Sequence, residues 1–261
     1  MPHALMRAIS PRMSECELTY LDRAPIDAAL ADRQHRAFQQ RLREMGFTVI
    51  VIPPDPTLQD AAFIEDTAVV LDEIAVSTRP GAISRRPEIP AVAEVLSRFR
   101  PLKQIQEPGT LEGGDVMRVG RRLYVGISTR TNREGIDQLQ ELIAPYDYQV
   151  IPVPVTGCLH LKTGGTWLGN ETWLVNRQWI DVTPLKDFRL LDVSVEEPWA
   201  ANTLTLQGTL FMPAGFPRTQ EMLEKLGYQV ATVEMSELQK AEAGLTCLSV
   251  LRVGIDQIQI T

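Results

Sequence analysis

Apolar positions along the chain follow two periods. Over residues 25–45 they fall at Ile26, Leu30, Phe38, Leu42 and Met45, a spacing that gathers them on one face of a helix. Pro25 suits a first turn, where its missing N–H costs nothing, and Gly46 suits the C-terminal cap. The same spacing predicts helices over 88–98, 132–142 and 219–226. Between them lie short β-branched and aromatic runs, read as strands over 47–52, 68–71, 74–77, 103–106, 116–119, 123–127, 148–155, 159–161, 172–175 and 228–233. Residues 204–212 give a strand pair around Gly208, and Gly164-Gly165-Thr166 reads as a loop. The run 5–9, before Pro11, reads as an edge strand.

These elements repeat. Two strands, a helix and a returning strand recur about five times. Three returning strands share a form: Phe47-Thr48-Val49, Tyr148-Gln149-Val150 and Tyr228-Gln229-Val230. A repeat of roughly 40–50 residues implies an α/β propeller or array, in which each unit buries its face against its neighbours. No Gly/Ser-rich or Pro-rich linker interrupts the chain, so 1–261 is expected to be one domain. Neither a P-loop nor a GxGxxG is present, and nucleotide binding has no support.

Charge narrows the partners. A net charge of -7 and a pI near 5.1 argue against nucleic acid and against an anionic membrane surface. No stretch approaches the ~18 apolar residues of a membrane span, and the start lacks the apolar core of a signal peptide. Three unpaired-looking cysteines, Cys16, Cys158 and Cys247, fit a reducing compartment. The cytoplasm is the expected setting.

Cys247 follows a small-residue turn and opens a run that reads as a buried strand, which makes it the candidate nucleophile. Such a thiol needs a base or cation nearby. Of three histidines, His3 is terminal and His35 is expected at the solvated edge of the first helix. His160 is left as the partner, or else as a core histidine held by a carbonyl. Two acidic loops, Phe63-Ile64-Glu65-Asp66-Thr67 and Leu111-Glu112-Gly113-Gly114-Asp115, either cap backbone amides or converge as a site for a planar cation such as guanidinium. Arg79, Arg85, Arg86 and Arg130 read either as a solvated basic face or as a clamp for a carboxylate.

Those two loops, together with residues 78–86, Gly126 to Asn132, Cys158-Leu159-His160-Leu161-Lys162, Ala200-Ala201-Asn202 and Leu245 to Val250, fall in family order. The chain resembles the dimethylarginine dimethylaminohydrolase family of guanidine-modifying enzymes. The resemblance implies a five-bladed α/β propeller of ββαβ units. It implies hydrolysis of N-omega-methylated arginine to citrulline and a methylamine through a thiouronium on Cys247, with His160 as acid and base and Glu112 orienting it. It also implies substrate contacts from Phe63, from Glu65 and Asp66 to the unmethylated nitrogens, and from Arg85 and Arg130 to the α-carboxylate. Asp60 and the backbones of Leu18 and Ala241 would serve the α-amine end. Arg79 and Arg86 take no role. No metal or organic cofactor is expected, and the partner is the small substrate, with room for a homodimer.

Two positions bear on the substrate. Arginine deiminases carry an Asp two residues after the histidine, where this chain has Lys162. A dimethylated nitrogen has no N–H for such a carboxylate, so Lys162 favours methylated arginines. Family members often carry Asp-Gly before the cysteine turn, where this chain has Glu242-Ala243. An arginine deiminase-like hydrolase and a non-catalytic binder of arginine analogues are the alternatives.

Overall fold

The computed structural model describes residues 2–251. The chain opens with β1 (His3–Arg7), α1 (Ala28–Glu44) and β2 (Thr48–Ile52). One full unit follows as β3 (Ala68–Val70), β4 (Ala75–Ser77), α2 (Ile89–Leu96) and β5 (Leu102–Gln104). The next is β6 (Val116–Val119), β7 (Arg122–Ile127), α3 (Arg133–Ile143) and β8 (Gln149–Pro154). After the single-turn helix α4 (Leu161–Gly164) come β9 (Gly165–Gly169), β10 (Thr172–Val175) and β11 (Arg189–Asp192). The last complete unit is β12 (Leu204–Leu206), β13 (Thr209–Pro213), α5 (Pro217–Lys225) and β14 (Gln229–Val233). The described chain ends with α6 (Ser236–Gln239) and β15 (Val250–Leu251).

Among the described residues, fifteen strands form five three-stranded sheets. In each, an inner strand runs antiparallel to the middle one and the outer strand runs parallel to it. This is the expected five-bladed α/β propeller. One blade is closed by distant parts of the chain: β15 supplies its inner strand against β1, with Leu5 opposite Val250. Helix α1 lays Phe38 and Leu42 into a core that extends to Leu245, Cys247 and Leu248, so this blade's packing also seats the cysteine turn.

Several local expectations change. The run at 5–9 is no edge strand: β1 is the middle strand, and its second neighbour comes from the far end of the sequence. The run at 159–161 is not a strand but the approach to α4. Gly164-Gly165-Thr166 is no loop: β9 begins at Gly165, where an added Cβ would come within 3.0 Å of Ile180 Cδ1. The fourth unit crosses over through a short turn (Thr183–Leu185) rather than a long helix, and its outer strand β11 has no clear alternation to announce it. Among the described residues no helix is long and apolar enough to cross a membrane.

His35 is buried rather than solvated. Its Nδ1 meets Gln39 Nε2 at 3.0 Å, and its Nε2 has no hydrogen-bond partner among the described residues. Burial pushes the imidazole down to about 4, against roughly 6.5 in an unfolded chain. Protonation therefore favours unfolding. Stability is full above the unfolded value and declines as pH falls towards 4, by on the order of 3 kcal/mol. His35→Leu should flatten this decline. Melting temperatures of the two proteins between pH 7 and pH 4 check it, and parallel curves would refute it.

Candidate active site

A propeller brings the starts of its inner strands together, and here each start carries polar groups. The turn Ile64–Thr67, before β3, holds Glu65 and Asp66. Glu112 and the turn Gly113–Asp115 precede β6. His160 caps α4, which carries Lys162 into β9. Asn202 precedes β12, and the turn Thr246–Leu248 brings Cys247 before β15. Cys247 thus lies in a turn rather than at the start of a strand. The Glu65-Asp66 turn packs against both the Gly113–Asp115 turn and the Cys247 turn, and α4 packs on the Gly113–Asp115 turn.

At the centre, His160 Nε2 lies 2.6 Å from Glu112 Oε2 and 3.8 Å from Asp66 Oδ1. All three side chains are buried. Asp66 Oδ2 accepts from Arg85 Nη1 at 2.5 Å, and Oδ1 accepts from the Gly114 N–H at 2.9 Å. Asp115 accepts from the Leu161 N–H at 2.8 Å and from Ser128 Oγ at 2.7 Å, fixing the backbone just after His160. The glycines beside Glu112 are required by close approach. A Cβ on Gly113 would sit 2.0 Å from Glu65 O, and one on Gly114 would sit 2.7 Å from both Asp66 Oδ1 and His160 Nδ1.

A second network forms the base of the cysteine turn. Glu65 Oε1 accepts from Lys162 Nζ at 2.5 Å, and Oε2 accepts from Thr246 Oγ1 at 2.7 Å. Asn202 closes the ring. Its Nδ2 donates to Lys162 O at 3.0 Å and to Thr246 Oγ1 at 3.1 Å, and its Oδ1 accepts from the Thr246 N–H. Beyond this base lies an axial cavity of about 480 Å3, walled by all five inner strands. It reaches Glu65, Lys162 and Thr246, whereas Cys247, His160 and Glu112 do not line it.

The two expected carboxylate-binding arginines are placed differently. Arg85 is buried and turned inward: Nε and Nη2 pair with Glu88 at 3.0 and 2.9 Å, and Nη2 also donates to Phe63 O at 2.8 Å. Arg130 makes only long contacts, 3.4 Å to Glu112, 3.7 Å to Glu17 and 3.5 Å to Thr19 Oγ1. Arg79 pairs with Glu107 at 3.0 Å, and Arg86 donates to Pro80 O. Asp60 accepts from the Glu17 N–H at 3.2 and 3.3 Å. Leu18, Phe63 and Ala241 belong to or pack on the apolar cluster that contains Cys247.

Electrostatics divide the site. Burial works against the His160 charge, but Asp66 and Glu112 outweigh it and hold the imidazole up at about 9. Burial likewise opposes ionisation of Asp66, yet His160 and Arg85 bring its carboxyl down to about 2. Burial pushes the Cys247 thiol well up, and the neighbouring Glu65 and Asp66 charges push it further. In the ligand-free protein at neutral pH, His160 is an imidazolium and Cys247 a thiol. The ligand atoms of Asp66, Glu112 and His160 lie within 4.8 Å of one another. A metal ion could take all three as ligands only after His160 gave up its proton, because an imidazolium has no lone pair to offer.

A model of eukaryotic N,N-dimethylarginine dimethylhydrolases matches residues 22–181. An N(G),N(G)-dimethylarginine dimethylaminohydrolase of Streptomyces coelicolor is 38% identical over 249 residues, spanning 95% of both chains. The chain belongs to the dimethylarginine dimethylaminohydrolase family. Its relative of the same name in Pseudomonas aeruginosa is 36% identical over 225 residues, 85% of this chain and 89% of that one. The Pseudomonas aeruginosa enzyme, solved as a mutant complexed with citrulline, superposes with a TM-score of 0.90 at 34% identity, covering 95% of this chain and 98% of that one.

Within this family fold, sequence reasoning placed Thr246, Asn202 and Asp115 in its motifs but gave none of them a role of its own, missed Glu88, and saw Lys162 only as a missing carboxylate. Their signal was weak, because Thr246, Asn202, Asp115 and Lys162 each act through a partner from another blade, and Glu88 acts only through Arg85. Gly114 gives a test. Gly114→Ala should displace Asp66 or His160, lower turnover at least tenfold and destabilise the fold by about 1–3 kcal/mol. Steady-state kinetics and chemical denaturation check this, and wild-type values in both would show that the contact yields freely.

Proposed function

We propose that this chain hydrolyses N-omega-methylated arginines, asymmetric dimethylarginine and monomethylarginine, to citrulline and the corresponding methylamine. Family membership supports the reaction class. The observation that carries the reading is the buried set of Asp66, Glu112 and His160 beside the Cys247 turn, in which two carboxylates flank one imidazole. A guanidinium adds a positive charge beside those acids. It offsets Glu65 and Asp66 and makes loss of the Cys247 proton favourable.

The thiolate then attacks the guanidinium carbon. His160, protonated at the start, gives its proton to the departing amine and leaves a thiouronium on sulfur. Neutral His160 next takes a proton from water and the hydroxide adds to the thiouronium carbon; the C–S bond then breaks as the adduct's hydroxyl proton passes to the departing sulfur, which releases citrulline and restores the Cys247 thiol and the His160 imidazolium. Glu112 holds the imidazole through both transfers. Asp66 and Glu65 accept the unmethylated N–H groups. Each carboxylate oxygen has two lone pairs, so Glu65 can do this while keeping Lys162 and Thr246. Arg130, with its long contacts, takes the α-carboxylate. Arg85 stands behind it and holds Asp66. Asp60 and the Leu18 and Ala241 backbones serve the amine end, beside Phe63. The steps draw on protein groups and water. We place this reaction in one cytoplasmic domain spanning 1–261.

Lys162 favours the methylated substrate over arginine. It fills the space beside Glu65 with an ammonium, where a second guanidinium-binding carboxylate would otherwise stand. Citrulline release from asymmetric dimethylarginine and from arginine, with Cys247→Ser as control, tests the reading. Release should come mainly from the methylated substrate and vanish in the variant. Preference for arginine would move the chain among deiminases, and no release from either would leave a binder. Without ligand, labelling of Cys247 by iodoacetamide should still be accelerating above pH 9. A plateau by pH 7 would mean a resting thiolate.

A further inference from the structure

Residues 16–27 form no helix or strand, yet they are tied down along their length by one short segment. Glu237 Oε2 accepts from the Asp27 N–H at 2.9 Å, and Lys240 Nζ donates to Pro25 O at 3.0 Å. Glu242 goes furthest. Its Oε1 accepts from three consecutive amides, Thr19, Tyr20 and Leu21, at 2.8, 2.5 and 2.7 Å. The same stretch touches the groups assigned to the substrate's amino-acid end. Glu17 and Thr19 contact Arg130, the Glu17 N–H bonds Asp60, and Leu18 packs on the cluster holding Cys247. Glu242 is itself five residues before Cys247, at φ +60°.

We infer that Glu242 is a positioning residue that latches the 17–21 loop over the substrate site. The three amides converge on a single carboxylate oxygen, so one side chain holds the turn at 19–21. Its Oε2 is buried with no hydrogen-bond partner among the described residues. A desolvated, unpaired carboxylate oxygen is costly, and opening the loop returns it to water. The latch therefore holds the loop shut without making opening prohibitive, as a substrate-admitting lid requires. Glu242 reaches no reacting atom. It acts through the Leu18 carbonyl and the shielding of Cys247. The departure from Asp-Gly at 242–243 gives this carboxylate one more methylene of reach towards the loop.

This assignment rests on the proposed hydrolase reading only for its kinetic arm. In E242A, KM for asymmetric dimethylarginine should rise about tenfold while kcat stays within about threefold. Two further readouts need no turnover. Iodoacetamide labelling of Cys247, located by peptide mapping, should quicken at least tenfold, and so should tryptic cleavage after Arg23. E242Q keeps an acceptor oxygen and should fall between the two proteins. Wild-type labelling, nicking and KM in E242A would overturn the latch, as would equal acceleration at the buried Cys158, which would mean general loosening. If E242A does not fold, E242Q decides: wild-type behaviour in all three readouts overturns the proposal. Should the wild-type protein release no citrulline, the hydrolase reading fails, while the labelling and nicking arms still decide the latch.

Discussion

Asp66 has no exposed surface to speak of, and a carboxylate in that position must be paired or neutral. It is paired three times, with Arg85, the Gly114 amide and the His160 ring, and these partners lie in the stretches entering or crossing the blades around it. The registration of three blades is therefore written into the coordination of one side chain. Gly113 and Gly114 lack side chains because the turn must come this near. Glu112 inherits its place against His160 from the same turn.

The fold was legible wherever local pattern was sufficient. Helices α1, α3 and α5 and the hairpin of β6 and β7 showed their spacing within a dozen residues. What escaped depended on partners far along the chain. β1 reads as an edge until β15 is known to pair with it, and β9 opens at the second of two glycines, Gly165, where Ile180 and Val175 leave little room for a side chain. His35 reads as solvated because the helix stripe does not show that α6, from far along the chain, packs on the same helix.

The candidate site divides in the same way. Cys247, His160, Glu112, Glu65 and Asp66 could be picked out because their chemistry is conspicuous in a chain with three cysteines and three histidines. Thr246 and Asn202 look unremarkable in sequence, and matter because each bonds across to another blade. Arg85 is the harder case to read from sequence. Its residue type suggested a ligand contact, yet Glu88, three residues on, already claims much of its guanidinium. An arginine's availability depends on which acids fold beside it, and spacing alone does not show that.

The Glu65–Lys162 pair also bounds the axial space. That cavity reaches Glu65, Lys162 and Thr246, and among the described residues none of Cys247, His160 and Glu112 lines it. The wide axis of the propeller therefore ends in an ion pair rather than in the nucleophile, and its width is no measure of the room around the sulfur.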